Sequence, residues 1–552
     1  MNWHYLLAGI LTVLMLSTLS QSALARDFYN GEKNVQTIYG KIVDQDGDPL
    51  VARAELWYSN LSPITQELGE NVSEGEEWMR NLHHATFSTQ DGWYRLEAPA
   101  GEWLVRISKG PEYTVKEAVV TIDKAADGRS ESGGERMDWM LSHLYDMKSL
   151  GWYSGDLHVH SSHSDGKNSI PQIVQSMRAS SLDFAALTDH NTVAGLEEWQ
   201  SLKSDDFLPI TGLEITTAAL PDAVVNQKSK GFGHQNAIGV SNLVGATDAE
   251  NDSIWLRYIF SSPKDVQAAV DETHANGGLY MLNHPFWMGG WPNGTISTWG
   301  DIRNYDGIEV WNGWPVPFLP NEYANRSNMD NTMAIQTWFE ILNAGNKVAG
   351  WGTSDTHDVY GLAGLNQPTR YRTVSGNART YVHSGDLSIN SVMSSLKSGR
   401  AFITTGWGPI LLVDIMGKEP GDTIEVSENE SLKLRIQVLS NRPLADLADG
   451  IRIIQGGQVV KKVPTEDGVM KMDVNTTIDI NSKNDTWLVV QAFNNEPSMA
   501  MTNPIFLDLP PHGMWGSTQW AFPEQASSWN TKRDAMPVQT VQDISLKLDK
   551  EQ

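Results

Sequence analysis

The chain has 552 residues, of which 40% are hydrophobic and 20% charged, a composition typical of globular proteins of about two to four domains. Its formal net charge of −26 argues against a surface that attracts nucleic acid or anionic membranes. The absence of cysteine excludes disulfides, thiolate metal sites and cysteine nucleophiles. A metal site in this chain would therefore use His, Asp and Glu.

The N-terminal segment has the features of a cleaved export signal. An apolar run, Leu6–Leu19, is followed by Ala23–Ala25, which fits the small-x-small pattern of a cleavage site. This pattern predicts a signal peptide over residues 1–25 and a mature chain that starts at Arg26. We therefore expect a periplasmic or secreted protein without stable membrane association after cleavage. No Lys or Arg precedes the run, so an uncleaved anchor remains the alternative, although the run is short for a membrane span.

Residues 36–124 show the two-residue alternation of β strands. The stretches TIYGKIVDQDGDPLVARAELWYS and ATFSTQDGWYRLEAPAGEWLVRISKG alternate apolar and polar residues around Asp-Gly and Ala-Gly turns. The segments GKIVDQDGDP and TQDGWYRLEAPAG resemble carboxypeptidase-regulatory-like (transthyretin-like) domains. That resemblance implies a β-sandwich that carries no chemistry of its own.

From Gly151 onward, strand and helix patterns alternate. The strands predicted are GDLHVH, DFAALTDH, FLPITGLEIT, HQNAIGV, GLYMLNHP, DGIEVWN and KVAGWGTSDTH. Helical stretches such as SIPQIVQSMRASSL and SPKDVQAAVDETHANG separate several of them. This alternation over residues 150–405 predicts a parallel, barrel-like α/β domain. Residues 409–510 return to β patterning and predict a second sandwich, and residues 511–552 form a polar C-terminal tail.

Residues able to bind metal recur at the ends of the predicted strands. The set consists of His158, His160, Asp165, His190, Glu214, His234, His284, Asp355 and His357. Nearly all lie at or just after the C-terminal end of a strand, which is the edge of a parallel barrel where catalytic groups gather. A single histidine at a strand end is usually a surface residue, but nine such residues at one edge indicate a shared site.

Imidazoles and carboxylates together suit divalent ions such as zinc, manganese or iron. A bridging carboxylate can hold two ions close together, and a water between them loses its proton near neutral pH and becomes a nucleophile. Such ions also polarise a carbonyl or phosphoryl oxygen. The sequence has no G-x-S-x-G elbow, P-loop or dinucleotide-binding glycine pattern. The residues therefore favour metal-assisted hydrolysis.

The order of these motifs resembles the PHP (polymerase and histidinol phosphatase) metallohydrolase family. The matching elements are HVHSSHSDG, TDHN, GLEI, LNHP and SDTH, which cover about residues 155–405. They look most like the carbaryl-hydrolase-like (CehA/McbA) branch. The resemblance implies a distorted (βα)7 barrel with two or three divalent ions, zinc first and manganese or iron as alternatives.

The resemblance also implies a ligand set for each ion. One ion would be held by His158, His160, Glu214 and Asp355. A second would be held by Glu214, His234 and His284, with Glu214 as the bridge. A third would be held by Asp165, His190 and His357, with His163 as the alternative to Asp165. Glu214 would place the metals, and Asp355 and His357 would assist proton transfer.

Two alternative functions are compatible with parts of this pattern. Amidohydrolase barrels also begin with H-x-H, but the Asp355-x-His357 pair and Glu214 favour the PHP pattern. A non-catalytic extracellular protein that binds carbohydrate or a surface, with a relic barrel, is the alternative from another class. A relic barrel is expected to lose ligands, whereas all the expected positions are filled.

The substrate is expected to be a small ester, either a phosphoester or a carboxylic or carbamic ester. Cationic residues near the motifs are few, with Lys167 and Arg326 the nearest and Arg400 a further candidate. This scarcity of cationic residues favours a carboxylic or carbamic ester, or a modest phosphodiesterase activity. Aromatic residues also crowd the motif loops, where they either line an apolar pocket or pack in the core of a Trp-rich protein: Phe286, Trp287, Trp291, Trp311, Trp314 and Trp351. Glu309 and Asp189 are candidates for orienting a ligand imidazole.

Overall fold

The computed structural model describes residues 35–58, 82–123, 134–217, 232–285, 302–313, 331–360, 374–405, 408–444, 447–466, 468–494, 499–510 and 515. The expected signal peptide, nearly all of the polar tail, and Phe286, Trp287, Trp291, Trp314 and Arg326 lie outside these ranges. None of the helices in these ranges combines the length and the apolar character needed to span a bilayer. The described residues are rich in β strands and have few helices.

The chain forms two compact units. One consists of residues 1–109, 114–143 and 360–366, and the other of residues 110–113, 144–359 and 367–552. The described residues of the first unit form eight strands in two sheets, ordered β4-β1-β7, with β8 also on β1, and β3-β2-β5-β6. Their bounds are β1 Gln36–Val43, β2 Arg53–Tyr58, β3 Leu82–Phe87, β4 Trp93–Ala98, β5 Gly101–Ser108, β6 Lys116–Ile122, β7 Glu135–Arg136 and β8 Trp139–Met140. Alternate residues of β4 are buried and exposed, as the sequence pattern predicts.

The second unit begins with the strands and helices that carry the metal-competent residues. The strands are β9 Trp152–Val159, β10 Phe184–Leu187, β11 Leu208–Ile210, β12 Gly212–Thr216, β13 His234–Ile238, β14 Leu279–Leu282, β15 Gly307–Asn312, β16 Ala349–Thr353, β17 Arg379–His383 and β18 Ala401–Thr404. The helices are α1 Ile170–Ala179, α2 Leu196–Ser201, α3 Pro263–Ala275, α4 Asn331–Asn343 and α5 Ile389–Ser398. Short 3-10 helices cover Lys148–Leu150 and Ile254–Leu256.

Helix boundaries follow local capping chemistry. The backbone N–H of Ser169 donates to the side chain of Gln172 at 2.9 Å before α1. The backbone N–H of Ser262 donates to Asp265 in the same way before α3, at 2.8 Å. Gly399 ends α5 with a φ of 70°, which glycine adopts without strain. These contacts satisfy terminal backbone groups and explain why the helices begin and end where the sequence predicts.

Strand directions depart from the parallel arrangement expected from the sequence. β9, β10 and β11 are mutually parallel, as are β14, β15 and β16. β13, however, runs antiparallel to both β12 and β14, and β17 runs antiparallel to β9. The stretch FLPITGLEIT is also not one strand, because it divides at Thr211 into β11 and β12, which belong to different sheets.

Two isolated bridges connect the sheet of β12–β16 to the sheet of β9–β11. His190 bridges Glu214, and Val159 bridges Thr356. Apolar side chains from both sheets share one core, which includes Leu157, Phe184, Met281 and Trp351. The strand ends that carry the metal-competent residues consequently converge.

Most of the remaining strands of the second unit continue the sheet that contains β9, and three of them form a separate sheet in the order Ile410–Ile415, Ser431–Leu439, Lys471–Asp479. The remaining strands are β19 Ile410–Ile415, β20 Thr423–Glu425, β21 Ser431–Leu439, β22 Ile451–Gln455, β23 Gln458–Val463, β24 Lys471–Asp479, β25 Thr486–Phe493, β26 Met499–Thr502 and β27 Ile505–Asp508. The sheet order β11-β10-β9-β17-β18-β26-β25-β22-β23 joins strands from both sides of residue 405, because β18 pairs with β26. Asn503 adds two hydrogen bonds to the backbone of Gly350 in β16, at 2.8 and 2.9 Å.

Candidate metal centre

The H-x-H pair lies at the end of a fully buried strand segment. His158 belongs to β9 and His160 follows it, with exposures of 0% and 1%. Because side chains alternate along a strand, both imidazoles lie on one side of β9. Their Nε2 atoms lie 3.2 and 3.1 Å from the same oxygen, Oδ1 of Asp355. The pair therefore converges on a carboxylate that is about 200 residues away in the sequence.

Glu214 lies at the centre of the cluster. Its side chain, in the middle of β12, is completely buried. Its two carboxylate oxygens contact nitrogens of five imidazoles: His190 at 2.7 Å, His234 at 3.0 Å, His284 at 3.3 Å, and His158 and His160 at 3.4 Å each. A carboxylate with histidines on both oxygens has the arrangement required of a bridging metal ligand.

The reversed strand β13 explains the position of His234. His234 is the first residue of β13, whereas the other ligand candidates stand near strand ends. Since β13 is antiparallel to β12, His234 pairs with Thr216 at the last position of β12. The start of a reversed strand thus reaches the same edge as the ends of its neighbours.

A second group lies at the more exposed side of the cluster. His160, Asp165, His190 and His357 offer ligand atoms that all lie within 4.8 Å of one another. Oδ1 of Asp165 is 3.2 Å from Nε2 of His357 and 3.5 Å from Nε2 of His190. The ring of His163, the alternative to Asp165, instead lies against Gly195. Three further sets among the described residues have ligand atoms equally close together. They are the set of His158, His160 and Glu214, the set of His158, His284 and Asp355, and the set of His190, Glu214 and His234.

Two of these residues have backbone conformations that L residues rarely adopt. The φ angle is 51° at Asp355 and 21° at His284. Positive φ in a residue other than glycine costs free energy and persists where the surrounding structure enforces it. The chain stabilises these conformations at two residues whose side chains lie in the cluster.

Charges in the cluster shift the pKa of both acids and imidazoles. Burial opposes the charged form of Glu214, but His190, His158 and His234 hold its pKa well below the usual range. Burial likewise opposes the charge on Asp355, yet His158, His160 and His357 lower its pKa. Both carboxylates are therefore ionised, as metal ligands must be.

The imidazoles titrate in opposite directions. Burial lowers the pKa of His160 to about 4, helped by the nearby His357 and His190. Burial also disfavours the charge on His357, but a hydrogen bond to Asp165 and the charge of Asp355 raise its pKa to about 9. The protons that the metal-free cluster carries at neutral pH would be displaced by a bound ion.

Buried polar side chains around the cluster fix the orientation of the candidate ligands. Glu309 is completely buried and accepts hydrogen bonds from Nδ1 of His158 at 2.9 Å, from the backbone N–H of His284 and from Thr353. Asn283 donates to Glu214 at 2.9 Å, and Asn312 donates to Asp355 at 3.2 Å. Asn283 directly precedes His284 in the LNHP motif, so its position in the sequence could have identified it as a residue beside the cluster.

Asp189 has a different role from the one considered from the sequence. Its carboxylate accepts hydrogen bonds from the backbone N–H and hydroxyl of Ser161, at 2.7 and 2.5 Å, and from Ser164 at 2.7 Å. It therefore orders the loop between His160 and Asp165 rather than holding an imidazole directly.

The donor atoms fit divalent metal ions. Nε2 of His158, both ring nitrogens of His160 and Oε2 of Glu214 are buried and have no hydrogen-bond partner within the described part of the chain. Buried polar atoms without partners are costly unless something satisfies them. Nitrogen and carboxylate ligands of this kind suit zinc, manganese or iron.

The aromatic and cationic candidates are placed differently from the expected pocket. Trp311 and Trp351 are buried at 2% and 0% exposure and pack in hydrophobic cores. For these two residues the structure agrees with packing in the core and not with the lining of a pocket. Arg400 forms an ion pair with Asp422 at 3.6 Å, and Lys167 lies 3.7 Å from Asp358.

Comparison with known proteins agrees with the motif order. Residues 156–296 match the family model of the PHP domain. A comparison with curated protein sequences gives no match.

The solved structures that are similar to this chain include the following three. The first is a two-domain protein from Bacteroides vulgatus, described as containing a predicted PHP-like metal-dependent phosphoesterase, with 22% identity, coverage of 62% of this chain and 91% of that one, and a TM-score of 0.31. The second is an amidohydrolase from Chromobacterium violaceum, with 15% identity, coverage of 37% and 87%, and a TM-score of 0.25. The third is a protein from Bifidobacterium adolescentis provisionally named a metal-dependent phosphoesterase, with 16% identity, coverage of 44% and 95%, and a TM-score of 0.27.

All three TM-scores are below 0.5, so these structures are only distantly similar to this chain. The similarity to the PHP domain therefore rests on the family model over residues 156–296 and on the motifs themselves.

Proposed function

We propose that this chain is a metal-dependent hydrolase that cleaves an ester-type bond, either a phosphoester or a carboxylic or carbamic ester. The observation that carries the proposal is that nitrogens of five histidines contact one buried carboxylate, that of Glu214. The match of residues 156–296 to the PHP domain supports it.

The proposed ligands are the nine residues predicted from the sequence. They would hold two or three divalent ions, with zinc first and manganese or iron as alternatives. Such ions supply Lewis acidity for the scissile bond and lower the pKa of water. Glu214 would be shared between two ions because its oxygens contact different histidines.

Asp355 and His357 are the proposed groups for proton transfer. Nδ1 of His357 lies 3.6 Å from Oδ1 of Asp355, and its Nε2 lies 3.2 Å from Asp165. The side chain of Asp165 is 42% exposed, so this side of the cluster is accessible to water and substrate. A proton could pass from the buried carboxylate through the imidazole to solvent.

The finer assignments of fold and location are part of the same proposal. We assign residues 150–405 to a distorted (βα)7 barrel, residues 36–124 to a carboxypeptidase-regulatory-like sandwich and residues 409–510 to an Ig-like sandwich. The converging strand ends support the barrel, and the paired antiparallel strands support the sandwiches. The apolar run Leu6–Leu19 supports export to the periplasm or the exterior.

The test combines metal content with hydrolysis. The purified protein would be analysed for metals and assayed on 4-nitrophenyl acetate, a 4-nitrophenyl carbamate and bis(4-nitrophenyl) phosphate, with and without chelator. Glu214→Gln should lower metal content and abolish hydrolysis. Glu112→Gln is the matched control, because Glu112 is a buried carboxylate that hydrogen-bonds Tyr381 and the backbone of Met147.

Two or three ions per chain with chelator-sensitive cleavage would support the proposal, and the preferred ester would define the substrate. A wild-type protein that binds no metal and cleaves none of the esters would contradict it and favour a non-catalytic binding protein.

A further inference from the structure

One tryptophan beside the candidate metal centre is left exposed to solvent. Trp255 is 44% exposed, although an indole contributes much to stability when it is buried. Its ring centroid lies 5.2 Å from the ring centroid of His190. His190 in turn contacts Glu214 and Asp165. The exposed ring of Trp255 is therefore separated from Glu214 by a single side chain, that of His190.

The segment that carries Trp255 is tied to the chain next to His190. The guanidinium of Arg257 donates to the backbone oxygen of Asn191 at 3.0 Å and to that of Asn251 at 3.1 Å. Asn191 is itself held by two hydrogen bonds to the backbone of Thr216, at 2.7 and 2.8 Å. The exposed indole is consequently preorganised beside the cluster, which lowers the entropic cost of binding a ligand.

The surface next to this indole is apolar as well. Leu256 is 46% exposed, and it lies in the same 3-10 turn as Trp255. Recognition of a quaternary ammonium group usually needs several aromatic faces around the cation. Among the described residues, the exposed indole of Trp255 next to the exposed Leu256 suits a flat, uncharged ring better, because it offers contact area and stacking.

We propose that Trp255 is a specificity-determining residue that holds a flat apolar group of the substrate, such as the aryl part of an ester. The inference rests on the proposed function and deepens it, because it names the substrate group that lies beside the scissile bond. It applies equally to an aryl carboxylic ester and to an aryl phosphodiester, which share the ring.

The experiment compares how each variant changes kcat/KM for phenyl and ethyl esters relative to the wild type, because the two leaving groups differ in intrinsic reactivity as well as in the ring. Phenyl acetate would be compared with ethyl acetate, and diphenyl phosphate with diethyl phosphate, in the wild type, Trp255→Ala and Trp255→Phe. Trp255→Ala should lower kcat/KM for the phenyl esters by about 10- to 100-fold while ethyl esters change little. Trp255→Phe should retain most of the preference. Trp93→Ala is the control, since Trp93 is 42% exposed but lies in the other unit.

A binding measurement separates this inference from the proposed activity. Calorimetric titration with phenol and with tetramethylammonium would be made on the full-length wild type and variants, with metal content measured in parallel. Phenol binding that is lost in Trp255→Ala at unchanged metal content supports the inference even if no ester is cleaved.

Three results would overturn the inference. The first is an equal loss of kcat/KM on phenyl and ethyl esters in Trp255→Ala, which would make the residue structural. The second is tetramethylammonium binding, rather than phenol binding, that depends on Trp255. The third is a wild type that neither binds phenol nor prefers phenyl esters.

Discussion

Replacing Glu309 by Gln tests whether the residues around the cluster control metal binding. Glu309 accepts hydrogen bonds from His158, from the backbone of His284 and from Thr353. As the acceptor at Nδ1 of His158, it keeps the proton on that nitrogen and leaves Nε2 free to bind a metal. Glutamine has the same shape but no charge, and its amide nitrogen would oppose the N–H of His284.

The magnitude follows from these contacts. A hydrogen bond to a charged group contributes about 1.5 to 3 kcal/mol. Glu309→Gln removes the charge from the bonds to His158 and Thr353 and replaces the acceptor of the His284 N–H by a donor. We therefore expect a loss of about 2 to 4 kcal/mol in the free energy of unfolding of the metal-free protein. Loss of such an orienting partner typically lowers metal affinity by about 10- to 100-fold.

The assay is a chelator competition on metal-loaded protein, followed by metal analysis, together with urea unfolding of the metal-free form. Glu112→Gln serves again as the control, because its loss should destabilise the fold without changing metal affinity. If Glu309→Gln binds metal as tightly as the wild type while losing stability to the same extent as Glu112→Gln, Glu309 has a structural role alone and the reasoning is refuted.

Three further predictions concern acid, protons and packing. Metal affinity should rise with pH, because the pKa of His357 is raised to about 9 and its imidazole must lose a proton to bind an ion. Calorimetry in buffers of different ionisation enthalpy should detect the released protons, and a pH-independent affinity would contradict this prediction. His383 lies 2.5 Å from Glu419, whose hydrogen bond raises the pKa of the imidazole. Its stabilising effect is complete below the ordinary pKa of about 6.5 and disappears as pH rises through the higher folded-state pKa, so His383→Gln should lower unfolding free energy in urea at pH 6 but not at pH 9. Because the side chain is 36% exposed, the difference should stay below about 1 kcal/mol, and an equal loss at both pH values would exclude the ion pair as its cause. Gly155→Ala should cost about 1 to 3 kcal/mol in chemical unfolding, since its Cβ would lie 2.1 Å from the ring of Phe184, whereas Gly385→Ala, with open space around it, should cost little; equal effects would show that the core accommodates the methyl group.

The location of the candidate site could be predicted from the sequence because most of the ligand candidates lie in or just after a short apolar strand. Strand ends in such a fold meet at one edge, so the order of motifs indicated which residues converge. The side chains of His158 and Glu214 do lie together, 3.4 Å apart. The alternation of strand and helix also predicted helix boundaries, because capping residues are local signals.

Strand direction and strand pairing could not be predicted in the same way. The reversal of β13 depends on which neighbours a strand pairs with, and the apolar pattern HQNAIGV is the same in either direction. The division of FLPITGLEIT had a signal, because Pro209 cannot donate a ladder hydrogen bond and favours an edge position. β11, which contains Pro209, is indeed the edge strand of its sheet.

The aromatic residues show a second limit of sequence interpretation. Trp351 lies near Asp355 in the sequence but is buried in a core. Trp255 is exposed and lies beside His190 in the structure. Trp255 follows the acidic stretch DAENDS and has no motif beside it, so its proximity to His190 emerges from the tertiary structure.

The continuous sheet through β9, β17, β18 and β26 has a consequence for the order of events during synthesis. Strand β9 is made early, yet its Asp156 accepts a hydrogen bond from Gly376, 220 residues later, and Phe402 of β18 pairs with Thr502 of β26. Contacts between residues this distant in sequence form slowly, because closing a long loop costs entropy before the contact stabilises the chain. A nascent chain that ends near Thr405 would also expose the unpaired edge of β18, which invites aggregation. The strand that bears the H-x-H pair should therefore reach its final packing only after nearly the whole chain has been synthesised.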